Sequence, residues 1–293
     1  MMSEMTVCGR TFSDAELLII QEIVQRDSIN RAQISREVCS ALNWIKPDGN
    51  LKEMSCRVAL LRMHRSGILE LPTPQRADPN RSRHRHLEST TAGDPGNPIT
   101  GPLSALGTLR LVRVFQPKAS RLWNELIQRY HYLGYAPLPG AQVRYLIYSE
   151  FGTLLGAIGF SAAAWTLRPR DTMIGWNKEQ RTNRLNKVVN NSRFLILPWV
   201  HVKNLASKVL ALCIKKLPQD WQTIYSYEPV LIETFVEKER FLGTCYKAAN
   251  WHYIGDTQGR GKWDRKNECA VPIKAIYIYP LNNNFRDILT RPD

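Results

Sequence analysis

Residues 193–207, RFLILPWVHVKNLAS, pass from an apolar run through a turn into a helical pattern. The run over 194–197 is apolar throughout and ends at Pro198, which is typical of a buried strand. From residue 203 to residue 216 the apolar residues recur at the spacing of one helix face. A strand that leads directly into a helix is a common unit of α/β domains. The segment therefore predicts an α/β domain in the second part of the chain.

The sequence around this segment alternates in the same way between strand-like and helical patterns. Further strands are predicted over 109–115, 142–148, 154–160, 223–227 and 275–279, with a helix over 119–130. Together these elements predict one mixed α/β (α+β) domain with a central sheet, covering residues 108–293.

Residues 11–72 contain sequence signals for the N-termini of three helices. In each, a capping side chain stands three residues before an acid or amide that can reach back to it. The pairs are Ser13 with Glu16, Asn30 with Gln33, and Asn50 with Glu53. Apolar residues at helical spacing predict the buried faces: Leu17, Ile20 and Val24; Ile34, Val38 and Leu42; Met54, Val58 and Leu61. Three short helices predict a helix-turn-helix unit, and a strand predicted over 68–71 makes it a winged helix.

The third predicted helix carries a basic face away from its core. The residues concerned are Lys52, Arg57, Arg62 and Arg65. A basic helix of this kind can enter the major groove of DNA, so we interpret residues 11–72 as a winged-helix DNA-binding domain. The alternatives are an ordinary solvated helix face or a winged helix that contacts protein.

The remaining segments are predicted to lack a core of their own. Residues 1–10 are interpreted as an N-terminal tail. Residues 73–107 are rich in proline, glycine, serine, threonine and charge and contain no aromatic residue, which predicts a flexible linker. A basic run in this linker can hold nucleic acid electrostatically or be solvated linker charge. It consists of Arg81, Arg83, His84, Arg85 and His86.

The charge balance indicates which kind of partner the chain binds. The chain has 40 Lys and Arg against 26 Asp and Glu, a net charge of +14, which favours an anionic polymer as partner. No apolar run approaches the roughly 18 residues that a membrane-spanning helix needs. The first residues also lack the apolar core of a signal peptide. We therefore expect a cytoplasmic protein with no membrane partner.

Two segments resemble the acetyltransferases of the GNAT superfamily: residues 193–207 and residues 244–251, TCYKAANW. In that superfamily a glycine-rich loop at a helix N-terminus holds the coenzyme A pyrophosphate. The resemblance implies a GNAT-like fold, with Tyr246 as general acid of an acyl-CoA-dependent acyltransferase. The glycines are missing from residues 203–207, whose side chains would crowd the pyrophosphate. We therefore expect that acetyl-coenzyme A is not a ligand.

Six motifs, separated along the chain, point to a second resemblance. They are HYLG at 131–134, RD at 170–171 with IGW at 174–176, NSRFLILP at 191–198, ETFV at 233–236, GTCYKAANW at 243–251 and GRG at 259–261. In this order they resemble the DruA family, named from the Druantia anti-phage system and found also in proteins of transposable elements. The resemblance implies action on nucleic acid, with other defence-system or transposon proteins as partners. Lys208 departs from the pattern, which more often has histidine there.

Two carboxylates are candidates for metal-dependent phosphodiester chemistry. Asp171 and Glu233 both lie in these motifs, and a carboxylate pair can hold Mg²⁺ or Mn²⁺ between attacking and leaving oxygens. We place Glu233 at the end of a strand. The alternative is that Asp171 pairs with an arginine and that Glu233 caps or bridges structurally.

A metal-free route uses His131 as general base, with Tyr132 or Tyr246 as nucleophile or acid. A tyrosine nucleophile suits strand transfer because the covalent link conserves the energy of the phosphodiester. The alternative is that each tyrosine is a half-buried aromatic with a satisfied hydroxyl.

Basic residues interleaved with tryptophans predict a surface for nucleic acid. They are Arg184, Arg193, Lys247, Arg260 and Lys262, with Trp176, Trp199, Trp251 and Trp263. Cations can contact a phosphate backbone, and indole rings can stack on unpaired bases. In the GRG turn, the alternative is a plain turn with an exposed arginine.

Together these features favour a protein that binds single- or double-stranded DNA, with a nuclease or strand-transferase activity as the enzymatic hypothesis. An acyl-CoA-dependent acyltransferase is one alternative. A non-catalytic adaptor that recruits a helicase or transposase to DNA is the other.

Overall fold

The computed structural model describes residues 5–7, 10–26, 29–46, 49–73, 89–259 and 271–291. The chain divides into two compact units, residues 1–85 and 86–293. Within the described ranges, every helix is too short or too polar to span a lipid bilayer.

The described residues of the first unit form two short antiparallel strands followed by three helices. Its elements are β1 (Met5–Val7), β2 (Arg10–Phe12), α1 (Asp14–Val24), α2 (Arg31–Ala41) and α3 (Glu53–Arg65). The prediction that residues 1–10 are a tail is wrong for Met5–Val7 and Arg10, because β1 and β2 pair antiparallel. Val7 and Phe12 anchor these strands in the core of the unit.

The capping boxes of α1 and α2 are confirmed, whereas that of α3 is wrong. Ser13 and Asn30 each accept a hydrogen bond from the backbone three residues on, and each box is closed by the return bond. The N-cap of α3 is Lys52, whose side chain makes no capping hydrogen bond.

The buried face of α3 also differs from the prediction. Cys56, Ala59, Leu60 and Met63 are buried, while Met54 is exposed. These four residues join the core of the first unit with residues of α1 and α2.

The described residues of the first unit contain no strand after α3. Residues 68–71, predicted as a strand, fold back on the end of the helix: the Ile68 amide donates to the Met63 carbonyl at 3.0 Å, and the Leu71 amide donates to His64 Nδ1 at 3.3 Å. The strand prediction is therefore wrong. The basic run at residues 81–86 lies outside the described residues.

The second unit is a mixed α/β domain, as predicted, built on one seven-stranded sheet. The strands of this sheet are β4 (Arg110–Arg113), β5 (Gln142–Tyr148), β6 (Leu154–Ala162), β7 (Val188–Ile196), β9 (Leu231–Glu237), β10 (His252–Asp256) and β11 (Lys274–Pro280). Their order is β10-β11-β9-β7-β6-β5-β4. Two short strands, β3 (Ile99–Gly101) and β8 (Val200–Val202), pair in parallel beside it.

Six helices complete the described part of the second unit. They are α4 (Pro117–Tyr130), α5 (Arg168–Ile174), α6 (Lys178–Arg184), α7 (Leu205–Tyr225), α8 (Thr244–Ala248) and α9 (Phe285–Thr290). The predicted strand over 223–227 is wrong, because α7 continues through Pro218 to Tyr225. Leu217 and Trp221 are buried on both sides of this point, and their burial outweighs the helix-breaking effect of proline.

The sheet has one parallel pair, β7 with β9, and this pairing ends early. It runs from Val188 opposite Leu231 to Asn191 opposite Thr234, although β7 continues to Ile196 and β9 to Glu237. In the ladder with β6, Gly159 pairs with Arg193 and Phe160 with Asn191, so Ser192 is the extra residue of a β-bulge. Such a bulge bends a strand. Past it, β7 and β9 separate within the sheet.

The predicted flexible linker is wrong for residues 89–107, which belong to the second unit and are attached to α4. Glu125, buried on α4, accepts hydrogen bonds from the Thr90 amide at 2.8 Å and the Thr90 hydroxyl at 2.7 Å. Arg129 pairs with the same carboxylate at 2.8 Å. A buried carboxylate needs such partners, and supplying them fixes this otherwise polar segment.

We predict that Glu125→Gln weakens this attachment in a pH-dependent way. Burial acts to raise the pKa of Glu125, but the hydrogen bonds from Thr90 and the pairing with Arg129 outweigh it and hold the pKa below 4.5. The charged form therefore stabilises the fold above that pH, and the stabilisation is lost as the pH falls through the lowered pKa. We expect a deficit of about 1–3 kcal/mol in the free energy of unfolding at pH 7, shrinking toward pH 4.

Urea denaturation of wild type and variant at both pH values measures this difference. Glu179→Gln, at an exposed position on α6, is the matched control and should change little. A deficit that does not depend on pH would contradict the electrostatic attachment.

Candidate functional site

A cleft of about 520 Å³ opens where β7 and β9 separate. Its walls are the end of α4 and the residues after it, the separated parts of both strands, the first turn of α7, and residues 241–246. None of these lining residues is acidic or carries a lysine or arginine side chain. The cleft is therefore a mainly apolar cavity in which a few polar groups decide what binds.

Tyr246, on α8, places a hydroxyl group at the cleft. The hydroxyl donates to Asn191 Oδ1 at 2.7 Å and accepts from Thr234 Oγ1 at 3.4 Å. The ring packs against Trp251, with the centroids 5.0 Å apart, and against Tyr277 at 5.9 Å. Burial raises the pKa of Tyr246 far above its ordinary value. The phenol therefore stays protonated, which opposes the predicted alternative of a nucleophile.

The turn into α8 is fixed by Gly243. Its φ of 68° lies in the left-handed region. A Cβ at this position would also lie 2.7 Å from the Tyr277 hydroxyl. A glycine at 243 therefore lets α8 begin close enough to the sheet for Tyr246 to reach Asn191.

His131 lies on the opposite wall, at the end of α4. Its Nδ1 accepts a hydrogen bond from the Leu133 amide at 3.2 Å, and its ring stacks on Tyr132 at 4.9 Å. Burial, with a contribution from the Arg193 charge, lowers the pKa of His131 to about 4. The imidazole is therefore neutral near pH 7, and because Nδ1 accepts from Leu133, Nε2 carries the hydrogen and can donate it. This arrangement disagrees with the predicted role of general base. The structure thus brings His131 and Tyr246, two predicted catalytic residues, to one cavity.

The first turn of α7 opens onto this cleft through Ala206. The first amides of a helix have no partners within it and attract anions, and α7 is 21 residues long. Lys203 and Lys208 are exposed on both sides of this turn. Because the side chain here is the small one of Ala206, the expectation that this loop excludes acetyl-coenzyme A is not borne out.

Asp171 and Glu233 lie in a separate cluster around Arg170. Arg170 Nη1 pairs with Glu233 Oε2 at 2.8 Å, and both side chains are fully buried. Arg170 Nη2 pairs with Asp171 Oδ1 at 2.7 Å, and Arg181 approaches Asp171 Oδ2 at 3.3 Å. Burial raises the pKa of Glu233, and the Arg170 charge and the hydrogen bond from the Ala164 amide offset part of that rise.

This geometry disagrees with the predicted metal and catalytic roles of the two carboxylates. Both oxygens of Asp171 accept hydrogen bonds, from Arg170 and Trp176 on one and from Leu167 and Arg181 on the other. Neither carboxylate lines the cleft. Across the described ranges no group of three or more His, Cys, Asp or Glu residues is placed to hold a metal ion. Glu233 also lies inside β9 and not at a strand end.

The predicted nucleic-acid residues that the structure describes in the second unit lie in different elements. Trp251 is buried against Tyr246 and Tyr279, so its predicted role in stacking on bases is wrong. Lys247 is exposed, and Arg184 Nε donates to the Arg291 carbonyl at 3.2 Å. Arg260, Lys262 and Trp263 lie outside the described residues. Arg193 is half-buried beside the cleft.

The basic face of α3 is exposed in the first unit. Arg57, Arg62 and Arg65 are exposed and Lys52 is half-exposed. Arg57 forms an ion pair with Glu53 at 3.0 Å. The face is thus available to a partner even though the opposite stripe of the helix differs from the prediction.

The sequence interpretation gave no specific role to Asn191 and Thr234, the hydrogen-bond partners of Tyr246. Both are buried polar residues inside strands, Asn191 in β7 and Thr234 in β9. A polar side chain inside a strand pattern is the signal that points to such a residue.

The fold and the cleft define a two-unit α/β protein, with a small helical unit before a domain whose central sheet is divided by a ligand-sized cavity. Residues 62–275 match the family model described as Druantia protein DruA. This match spans well over half of the chain, and the chain belongs to that family. No curated protein matches the chain.

Several solved acetyltransferases are similar in structure. Spermidine/spermine N-acetyltransferase SpeG from Vibrio cholerae, in complex with manganese ions, is 12% identical over 62% of this chain and 95% of its own, with a TM-score of 0.36. The Vibrio cholerae spermidine enzyme with CoA and spermine is 11% identical over 58% and 92%, with a TM-score of 0.35. Nourseothricin acetyltransferase is 9% identical over 48% and 66%, with a TM-score of 0.31. The family assignment rests on the sequence match alone.

We predict that Arg170→Ala strongly destabilises the second unit. The substitution leaves the fully buried Glu233 without its cation, and breaking a buried pair in this way costs about 3–5 kcal/mol. Urea denaturation followed by tryptophan fluorescence measures the loss. Arg168→Ala, at an exposed position of the same helix, is the control and should cost less than about 1 kcal/mol. Equal, small losses in both variants would show that the cluster is not structural.

Proposed function

We propose that the second unit binds an acyl-coenzyme A thioester in the cleft and transfers its acyl group to an acceptor. The observation that carries this proposal is the early end of the β7–β9 pairing, which opens a cavity inside the sheet with the Tyr246 hydroxyl on its wall. The cavity volume of about 520 Å³ falls in the usual range of small-molecule sites.

The separated strands suit an extended ligand. Past Asn191 and Thr234 the facing edges of β7 and β9 no longer pair with each other. Free backbone amides and carbonyls at such edges bind extended chains that carry amide groups, as the pantetheine arm of coenzyme A does. The first turn of α7, with Lys203 and Lys208 beside it, would hold the diphosphate.

Two polar groups of the cleft support acyl transfer. Bound acyl-coenzyme A supplies an activated acyl group. Tyr246, protonated at neutral pH, would turn its O–H group from Asn191 Oδ1 to the departing sulfur and donate its proton there, while Thr234 donates to the phenol oxygen. His131, neutral at the same pH, has Nδ1 occupied by the Leu133 amide, so its Nε2–H group would donate a hydrogen bond to a bound ligand.

We expect wild-type protein to bind acetyl-coenzyme A in calorimetry. Ala206→Leu should weaken binding at least about tenfold by blocking the helix terminus, a change of about 1.4 kcal/mol. Tyr246→Phe should keep the binding but lower kcat by about 10²–10⁴-fold, because it removes the proton donor and little volume. Ala15→Leu, exposed on α1, is the control. No binding of acetyl-coenzyme A to folded wild type would refute the proposal.

A second function, DNA binding by the first unit, is favoured by the exposed arginines of α3. Arg62 and Arg65 lie in its last two turns, and the chain as a whole carries a charge of +14. A helix of this kind can reach phosphates from a groove of DNA. Together with the family, this supports a role in anti-phage defence, in which the first unit brings the chain to DNA. Cleavage through Asp171 and Glu233 is no part of the proposal, since Arg170 engages both carboxylates.

For this second function we predict that Arg62→Ala and Arg65→Ala together weaken DNA binding by the full chain. Loss of two phosphate contacts should reduce the slope of log K against log salt by about 1.8, at about 0.9 for each contact. Fluorescence anisotropy with a labelled duplex at several salt concentrations measures it. Arg121→Ala, exposed on α4, is the matched control. An unchanged slope in the double variant would place DNA binding elsewhere or nowhere.

A further inference from the structure

A second cavity, of about 270 Å³, lies beside the cleft on the bulge of β7. The two cavities share four lining residues: Leu133, Asn191, Ser192 and Phe235. They therefore meet at the place where β7 leaves β9. A group bound in the second cavity lies next to the polar end of the cleft.

The second cavity is basic, unlike the cleft. Arg193 and Lys274 line it, and its described lining includes no acid. Arg193 Nη1 donates to the Ser192 carbonyl at 2.7 Å and Nε to the Gly134 carbonyl at 3.4 Å, so the guanidinium is held in place. Among the described residues neither cation has a carboxylate partner within ion-pair distance, which contrasts with Arg170. Burial lowers the pKa of Arg193, as expected for a cation without an acidic partner.

A buried hydrogen-bond acceptor lies at the same cavity. Asn190 lines it, and its Oδ1 atom is buried with no hydrogen-bond partner in the described part of the chain. A buried amide oxygen without a donor costs free energy, about 1–3 kcal/mol. An N–H group of a bound ligand would remove that cost.

We propose that this second cavity holds the acyl acceptor, and that the acceptor is a small primary amine carrying a negatively charged group. Arg193 and Lys274 bind the anionic group, while the Asn190 side chain accepts a hydrogen bond from the amine. The inference rests on the acyl transfer proposed above and names its acceptor class.

Size and charge narrow the class further. A volume of about 270 Å³ is slightly below the usual range for small-molecule sites, so the bound part of the acceptor is no larger than an amino acid or a phosphorylated amino alcohol. A polyamine, which carries several positive charges and no negative one, would be repelled by Arg193 and Lys274.

The reaction balances without any further reagent. The amine nitrogen forms a bond to the acyl carbon, and the bond from that carbon to sulfur breaks. The nitrogen loses one proton and the sulfur gains one. The products are an amide and the free thiol of coenzyme A, and nothing is oxidised or reduced.

Release of free thiol from acetyl-coenzyme A by the full chain tests this acceptor class. The amines compared are O-phosphoethanolamine and β-alanine, which carry a phosphate and a carboxylate, with ethanolamine and spermidine, which carry neither. We expect acylation of one or both anionic amines, with a KM at least about tenfold below that of ethanolamine, and the poorest reaction with spermidine. The two anionic amines distinguish phosphate from carboxylate recognition.

Two variants connect this selectivity to the cavity. Arg193→Gln and Lys274→Gln should each raise the KM for the preferred anionic amine about tenfold, while the KM for acetyl-coenzyme A and for ethanolamine changes little. Lys118→Gln, exposed on α4, is the matched control. Unchanged KM values in both variants, a preference for spermidine, or binding of acetyl-coenzyme A with no amine acylated would each overturn the inference.

Direct calorimetry with O-phosphoethanolamine and β-alanine separates this inference from the proposed function. One possible result is that wild type binds one of these amines but not acetyl-coenzyme A, and that both variants lose the amine binding. This result would support the binding site for anionic amines and refute the proposed acyl transfer. Equal binding by wild type and both variants would overturn the site itself.

Discussion

The structure of the second unit depends on where the hydrogen bonds between β7 and β9 stop. Backbone amides and carbonyls inside a sheet must be paired, and a parallel pair that ends after Thr234 leaves two facing edges without that pairing. The bulge at Ser192 bends β7 away at this point, and the turn at Gly243 brings α8 over the gap. The cleft, the Tyr246 hydroxyl and the basic cavity all lie around this one interruption.

The buried Arg170 cluster stabilises the part of the β7–β9 ladder that lies just before the pairing ends. Glu233 precedes Thr234 on β9 and lies opposite Asn190 on β7, in the last part of the parallel ladder. By joining Glu233 to Asp171 and the Ala164 carbonyl, Arg170 ties β9 to the segment around α5. The Arg170 cluster fixes β9 next to the cleft. Because β9 is held there, β7 and β9 can separate beyond Thr234 without a change in their register, and the residues that line the cleft keep their positions. Asp171 and Glu233 thus stabilise the cleft by holding β9 in place.

The sequence carried much of the fold but little of the site, for identifiable reasons. Strand β5 and the end of α4 follow from local pattern, as do the caps of Ser13 and Asn30, because each depends on neighbours within a few residues. Pro218 misled the assignment of α7, since tertiary packing of Leu217 and Trp221 outweighs local propensity. Asp171 and Glu233 looked catalytic because a buried ion pair and a metal site use the same residue types. Tyr246 and His131 are 115 positions apart, and only the folded sheet shows that they share a cavity.

Gly243 has a consequence for how this protein can evolve. Its left-handed backbone and the nearby Tyr277 hydroxyl penalise any side chain independently. Replacing Tyr277 by a smaller residue would remove one penalty and leave the other, so no single compensating change restores an ordinary residue at this position. The turn that positions Tyr246 therefore cannot be altered at residue 243 by single substitutions. Changes to the cleft must therefore come from other wall residues, such as Leu242, whose side chain is exposed.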